Sequence, residues 1–155
     1  MAVSMLMTST LKLGIECCRR GDWNEGLRYL GKIAEEKDQT PDLPGLFYSY
    51  LGYGIALCQQ RVPEGLKLCQ HSIKVEFYQV ENYVNLARTC LLAQDRKGAV
   101  KAVRGGLKVD PHSPELLGLY QELGIRSLPV LPFLDRKHPV NQLLGRLRHA
   151  LRKAP

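Results

Sequence analysis

The chain has 155 residues, a formal net charge of +7 and 45% hydrophobic residues. That length and mixture suit one domain with a real core and exclude wholesale disorder. No apolar run approaches the roughly 20 residues that span a bilayer, and the start, MAVSMLMTST, lacks the basic opening of a secretory signal, so a cytoplasmic location is expected.

Residues 4–20 read as a first helix, with Leu6, Leu13, Ile15 and Cys17 among its apolar positions. Arg19-Arg20 place cations at its C-terminal end, where the helix dipole favours them, and Gly21 suits a left-handed cap. Asp22 caps the next helix, with Glu25 three residues on in capping-box spacing, and Gly26, Leu30 and Ile33 form its packing face. Residues 38–45, DQTPDLPG, are a connector.

A second pair of helices occupies 45–78. Tyr48, Leu51 and Gly52 mark the face of its first helix. Val62-Pro63-Glu64 opens the second helix, since proline is tolerated in a first turn. Gly65 takes a small packing position, and Phe77-Tyr78 closes the unit. A third pair occupies 80–114. Tyr83, Leu86, Ala87 and Cys90 share one helix face, and Ala99, Val103 and Gly106 share another. Gly105 finds no explanation in the pattern. Asp110-Pro111 ends the unit, because proline removes a donor and clashes one turn back. Ser113-Pro114-Glu115 then starts a short helix over 114–124, where Leu116, Leu117, Leu119, Tyr120 and Leu123 can cover the last open apolar edge.

Leu13-Gly14, Leu51-Gly52 and Leu86-Ala87 recur in step with Gly26, Gly65 and Ala99. On these residues the stretch 7–124 resembles the tetratricopeptide repeat (TPR) family, whose unit is a helix–turn–helix of about 34 residues. The resemblance implies an all-α fold, a TPR-like α-solenoid: a right-handed superhelix of antiparallel helix pairs, with three repeats and a capping helix over 1–125. It also implies a scaffold that binds proteins through a concave groove lined by the first helix of each repeat. The family's groove positions fall on Thr8, Leu11, Ile15 and Cys18, on Leu46, Ser49, Tyr53 and Ala56, and on Glu81, Val84, Arg88 and Leu91, with Tyr50 and Asn85 near the edge. Leu11, Ile15, Ser49, Tyr50, Tyr53, Glu81, Asn85 and Arg88 are therefore the partner-binding candidates. One subgroup of the family clamps a C-terminal carboxylate with Lys, Asn and Arg. Here Leu11, Ile15 and Ser49 stand in the first two repeats instead, so an apolar peptide or amphipathic helix is the better ligand. A small cytosolic chaperone for secreted or membrane-destined clients is the alternative.

The basic character belongs to 126–155. Arg126, Arg136, Lys137, Arg146, Arg148, Arg152 and Lys153 against Asp135 give +6, leaving +1 of the total +7 for the other residues. Residues 128–134 are an apolar strip interrupted by Pro129 and Pro132. After His138-Pro139 a helix runs to about 152, with Val140, Leu143, Leu144, Leu147 and Leu151 on one stripe and Arg146, Arg148 and Arg152 as candidate tail contacts. The tail has three possible surfaces: the chain's own body, an acidic and apolar partner protein, or an anionic membrane. The lack of tryptophan and the central Gly145 count against the membrane. Self-association through the tail is a further possibility. Nucleic acid is disfavoured, since no recognised binding fold is present.

Nothing points to catalysis. There is no GxSxG, HExxH or phosphate-cradling glycine loop, so the expectation is a non-enzyme without cofactor. Cys17, Cys18, Cys58, Cys69 and Cys90 form no CxxC pair, and His71, His112, His138 and His149 are scattered, which predicts reduced buried thiols and no metal site.

Overall fold

The computed structural model describes residues 2–35, 43–125 and 137–153, with side chains for 8–35, 43–125 and 137–147. Residues 38–42 of the 38–45 connector and the proline-interrupted strip 128–134 lie outside the described residues, and Gly45 already opens a helix. Among the described residues there are eight helices and no strand: α1 Ala2–Arg19, α2 Trp23–Glu35, α3 Gly45–Gln59, α4 Val62–Val75, α5 Val80–Leu92, α6 Arg96–Val109, α7 Pro114–Glu122 and α8 Pro139–Lys153. They fall into two compact units, Met1–Leu123 and Gly124–Pro155.

In the first unit α1–α2, α3–α4 and α5–α6 pack as hairpins. The odd-numbered helices also pack side by side, α1 on α3 and α3 on α5, while α2 reaches α3 and α4 reaches α5. The turns explain the pairing. Gly21 is left-handed at φ 91°, and the N–H groups of Gly21 and Asp22 close α1 on the carbonyls of Cys18 (3.0 Å) and Cys17 (2.9 Å). Gln94 repeats that geometry at the end of α5 with φ 58°, and Asp95 N–H bonds Cys90 O at 2.8 Å. The Asp95 carboxylate then caps α6 by accepting from Gly98 N at 2.9 Å. Proline sits in the first turn of α4, as the spacing predicts.

Small residues set how close the helices come. A Cβ on Gly65 would lie 2.4 Å from Gly52 O and 2.8 Å from Ala56 Cβ, so α3 and α4 touch backbone to backbone there. Tyr83 accounts for the adjacent glycines Gly105 and Gly106 of α6. A Cβ on Gly105 would lie 3.0 Å from the Tyr83 ring, and one on Gly106 would lie 2.8 Å from Tyr83 Cβ and 2.6 Å from Leu116. A hydrophobic core cluster gathers Ile15, Cys18, Leu30, Ile33, Leu43, Phe47, Tyr48 and Tyr50. At the far end α7 packs on α6. Ser113 Oγ accepts from Leu116 N, and Leu116, Leu119 and Leu123 are buried, whereas Leu117 is exposed and Tyr120 half-buried. Arg96 Nη2 donates to Leu123 O at 2.5 Å, which latches the end of α7 to the start of α6.

In the second unit α8 buries Asn141 and exposes Val140, Leu143 and Leu147. No helix among the described residues is long and apolar enough to cross a membrane.

Candidate functional site

The front of α1, α3 and α5 carries the most developed surface of the first unit. At its α1 end an open cleft of about 660 Å³ is lined by Ser9, Lys12, Leu13, Ile15, Glu16, Arg19 and Leu46. Ile15, Leu13 and Leu46 make its apolar lining, and Lys12, Glu16 and Arg19 its charged rim. Arg19 then ties three helices together. Its guanidinium makes a two-point bond with Glu81 of α5, Nε to Oε2 at 3.1 Å and Nη2 to Oε1 at 2.7 Å. Tyr50 of α3 donates its hydroxyl to the same carboxylate. Arg19 Cζ stands 6.0 Å from the centre of the Tyr50 ring.

From Tyr50 an aromatic path continues. Trp23 stacks on Tyr50, with centroids 6.2 Å apart at 27°, and meets the Tyr53 ring edge-on at 4.9 Å and 87°. Arg88 Cζ lies 6.0 Å from the centre of Tyr53. Gly54 makes room for this cluster, since a Cβ there would lie 2.7 Å from Leu27 and 3.4 Å from Trp23. The face thus runs from an apolar cleft, through the Arg19–Glu81–Tyr50 bridge, to a Trp23–Tyr53–Arg88 group.

The electrostatics follow the geometry. Burial first, and then the bond to Glu81, push the Tyr50 phenol above its ordinary range. Hydrogen bonding to Glu81 pushes the Arg19 guanidinium further up. Burial also raises the Tyr53 phenol. The Arg19–Glu81 pair is partly solvated, with side chains 43% and 30% exposed, so it orders the face more than it stabilises the fold, contributing about 1 kcal/mol or less.

The structure divides the partner-binding candidates. Ser49 and Asn85 do not face solvent: both are buried, and Asn85 Nδ2 donates to Ser49 Oγ at 3.0 Å, which clips α5 to α3. Cys18, Ala56 and Val84, also groove positions by family register, are buried too. Ser49 and Ala56 are covered because α3 is flanked by α1, α2, α4 and α5, while Cys18 of α1 lies against Gly26 of α2 and Asn85 of α5 lies against Ser49. Tyr50 is buried and Glu81 half-buried, and both are engaged in the bridge. Ile15 is largely buried and lines the cleft. Leu11, Tyr53 and Arg88 are half-buried. Trp23, Arg19, Lys12 and Leu13 are additions to the set. Of the tail candidates, Arg146 is exposed, and the side chains of Arg148 and Arg152 lie outside the described residues.

Among the described residues no group of His, Cys, Asp and Glu could hold a metal ion. Cys17, Cys18, Cys69 and Cys90 are buried and Cys58 is exposed, all as free thiols. Burial pushes the Cys18 and Cys69 thiols up to about 12 and Cys90 up to about 11.

The paired helices, the side-by-side front helices and the terminal capping helix define a TPR-like α-solenoid. Among solved structures the chain is similar to the TPR domain of Arabidopsis OM64, with a TM-score of 0.61 and 12% identity over 77% of this chain and 94% of that one. At that identity the likeness speaks for the fold. No protein-family model matches the sequence, and no curated protein matches it.

Proposed function

We propose that the chain is a protein–protein interaction module, an adaptor or assembly scaffold, whose α1–α3–α5 face holds an apolar segment of a partner. Stacked helical repeats present extended surfaces of this kind, and the OM64 neighbour is itself a TPR domain. The observation that carries the reading is the continuity of the face: an apolar cleft with Leu13 and Leu46 at one end, and Trp23, Tyr53 and Arg88 at the other. Trp, Tyr and Arg are the side chains that dominate binding energy at protein interfaces. An extended peptide of about seven residues, at roughly 3.3 Å each, would span a face two to three helices wide. Arg88 favours a ligand with a carboxylate beside its apolar residues.

The test is selection of peptides from a random displayed library on the immobilised full chain, followed by amide shift mapping of the best binder. Shifts should concentrate on Lys12–Arg19, around Leu46 and Tyr53, and at Arg88. Shifts confined to the outer faces of α2, α4 and α6 would refute the assignment.

A further inference from the structure

The chain carries a second surface that the repeat face does not use. Residues 137–155 contain Lys137, Arg146, Arg148, Arg152 and Lys153 and no Asp or Glu, a charge of +5. Within them α8 is a 15-residue helix, about 22 Å long. Val140, Leu143 and Leu147, at i, i+3 and i+7, are 41%, 60% and 52% exposed. Pro139, Val140, Gln142, Leu143 and Arg146 line an open depression along that side. Three exposed aliphatic side chains on one arc, beside cations with no acidic residue among them, suit a surface that is both apolar and anionic.

We propose that α8 is an interfacial helix that settles on an anionic lipid surface, with Val140, Leu143 and Leu147 towards the acyl chains and its arginines among the headgroups. The charge excludes a second copy of α8 as the occupant, because +5 would face +5. One feature favours lipid over an acidic protein: the charges of 137–155 are all of one sign, which a lipid surface reads as total charge, whereas a protein partner selects by pattern of sign. At 15 residues, with cations through its second half, the helix lies along the interface and does not cross it. The absence of tryptophan has a consequence: insertion is shallow, and most of the affinity is electrostatic. The inference stands apart from the reading of the repeat face.

The experiment is co-sedimentation of the full chain with vesicles of phosphatidylcholine containing about 30% phosphatidylglycerol, at about 0.1 M salt. Each cation near such a surface contributes about fivefold to binding, so binding should be at least tenfold weaker to phosphatidylcholine alone. It should also fall at least tenfold at about 1 M salt, where the screening length drops to about 3 Å. Leu143→Glu with Leu147→Glu should lower binding at least tenfold with an unchanged circular dichroism spectrum. Arg146→Glu, which reverses one charge and leaves the three aliphatic side chains in place, should lower it about tenfold or more. A chain that stays in the supernatant with anionic vesicles at low salt would overturn the proposal and leave an acidic protein as the occupant. Binding that the Leu143/Leu147 changes leave untouched would overturn it as well.

Discussion

Substituting Gly65 and Gly118 by alanine should move stability in opposite directions, although both glycines are helical. In an open helix, alanine is better than glycine by about 1 kcal/mol, because glycine loses more backbone freedom on folding. Gly118 in α7 is such a site, since a Cβ there meets nothing within 4 Å. Gly118→Ala should therefore gain about 0.5–1 kcal/mol. At Gly65 the new Cβ would lie 2.4 Å from Gly52 O, a backbone atom that cannot swing aside. Ordinary carbon–oxygen contact needs about 1 Å more and the atom met is backbone, so α3 and α4 must part, at a cost in the upper part of the overpacking range, about 2–3 kcal/mol. After the helical gain is set against this, Gly65→Ala should lose about 1–2 kcal/mol. That corresponds to a melting shift of about −2 to −8 °C for a chain of this size. Urea unfolding followed by far-UV circular dichroism resolves both effects. A Gly65→Ala protein as stable as the parent would refute the backbone contact between α3 and α4, and with it the hairpin geometry.

Other consequences can be checked in the same way. Gln94 holds a left-handed φ of 58° where the equivalent turn of the first repeat has Gly21, so Gln94→Gly should raise the unfolding free energy measured in urea by about 0.5–1 kcal/mol; a loss would contradict the turn assignment. Burial raises the Cys18 and Cys69 thiols from an ordinary 9.0 to about 12, so the unfolded chain gives up these protons first. Stability that is full below pH 9 should then decline between pH 9 and pH 12, by about 1.4 kcal/mol per pH unit per thiol; urea midpoints that stay level from pH 8 to pH 10.5 would argue against buried thiols. Among the five cysteines Cys58 is the exposed one, so the folded chain should take up one equivalent of maleimide quickly and the rest on unfolding. Rapid labelling of two or more thiols would contradict the packing of α1, α4 and α5.

The parts of the fold that are legible in the sequence rest on local chemistry. Gly21, Val62-Pro63 and Ser113-Pro114 mark helix ends because caps and first turns are made by residues adjacent in the chain. The recurrence of small residues at Gly26, Gly65 and Ala99 announces the hairpins for the same reason. The front face is only partly legible. Periodicity says which side of a helix is apolar, but not which apolar or polar residue a neighbouring helix will cover. Ser49 and Asn85 are spaced like groove residues, yet they bond each other between α3 and α5. Arg19 in the sequence is a cation at a helix end, and its bond to Glu81 joins positions 62 apart, beyond the reach of any local pattern. Trp23 opens α2, and only the packing of α2 on α3 brings its ring to both Tyr50 and Tyr53. Gly105 is silent in the sequence for the same reason, because the ring it accommodates comes from α5.

The central claim is that the α1–α3–α5 face binds a partner segment through its apolar cleft and its Trp23–Tyr53–Arg88 group. The most direct measurement is the affinity of one selected peptide, by fluorescence polarisation, for the parent chain and for Leu13→Glu, Tyr53→Ala and Arg88→Glu, with Lys67→Glu on exposed α4 as the control. The account predicts losses of about 2 kcal/mol, roughly thirtyfold, for changes at a binding hot spot, and little change for the control. Equal affinity for Tyr53→Ala, Arg88→Glu and the parent, with folding intact, would contradict it.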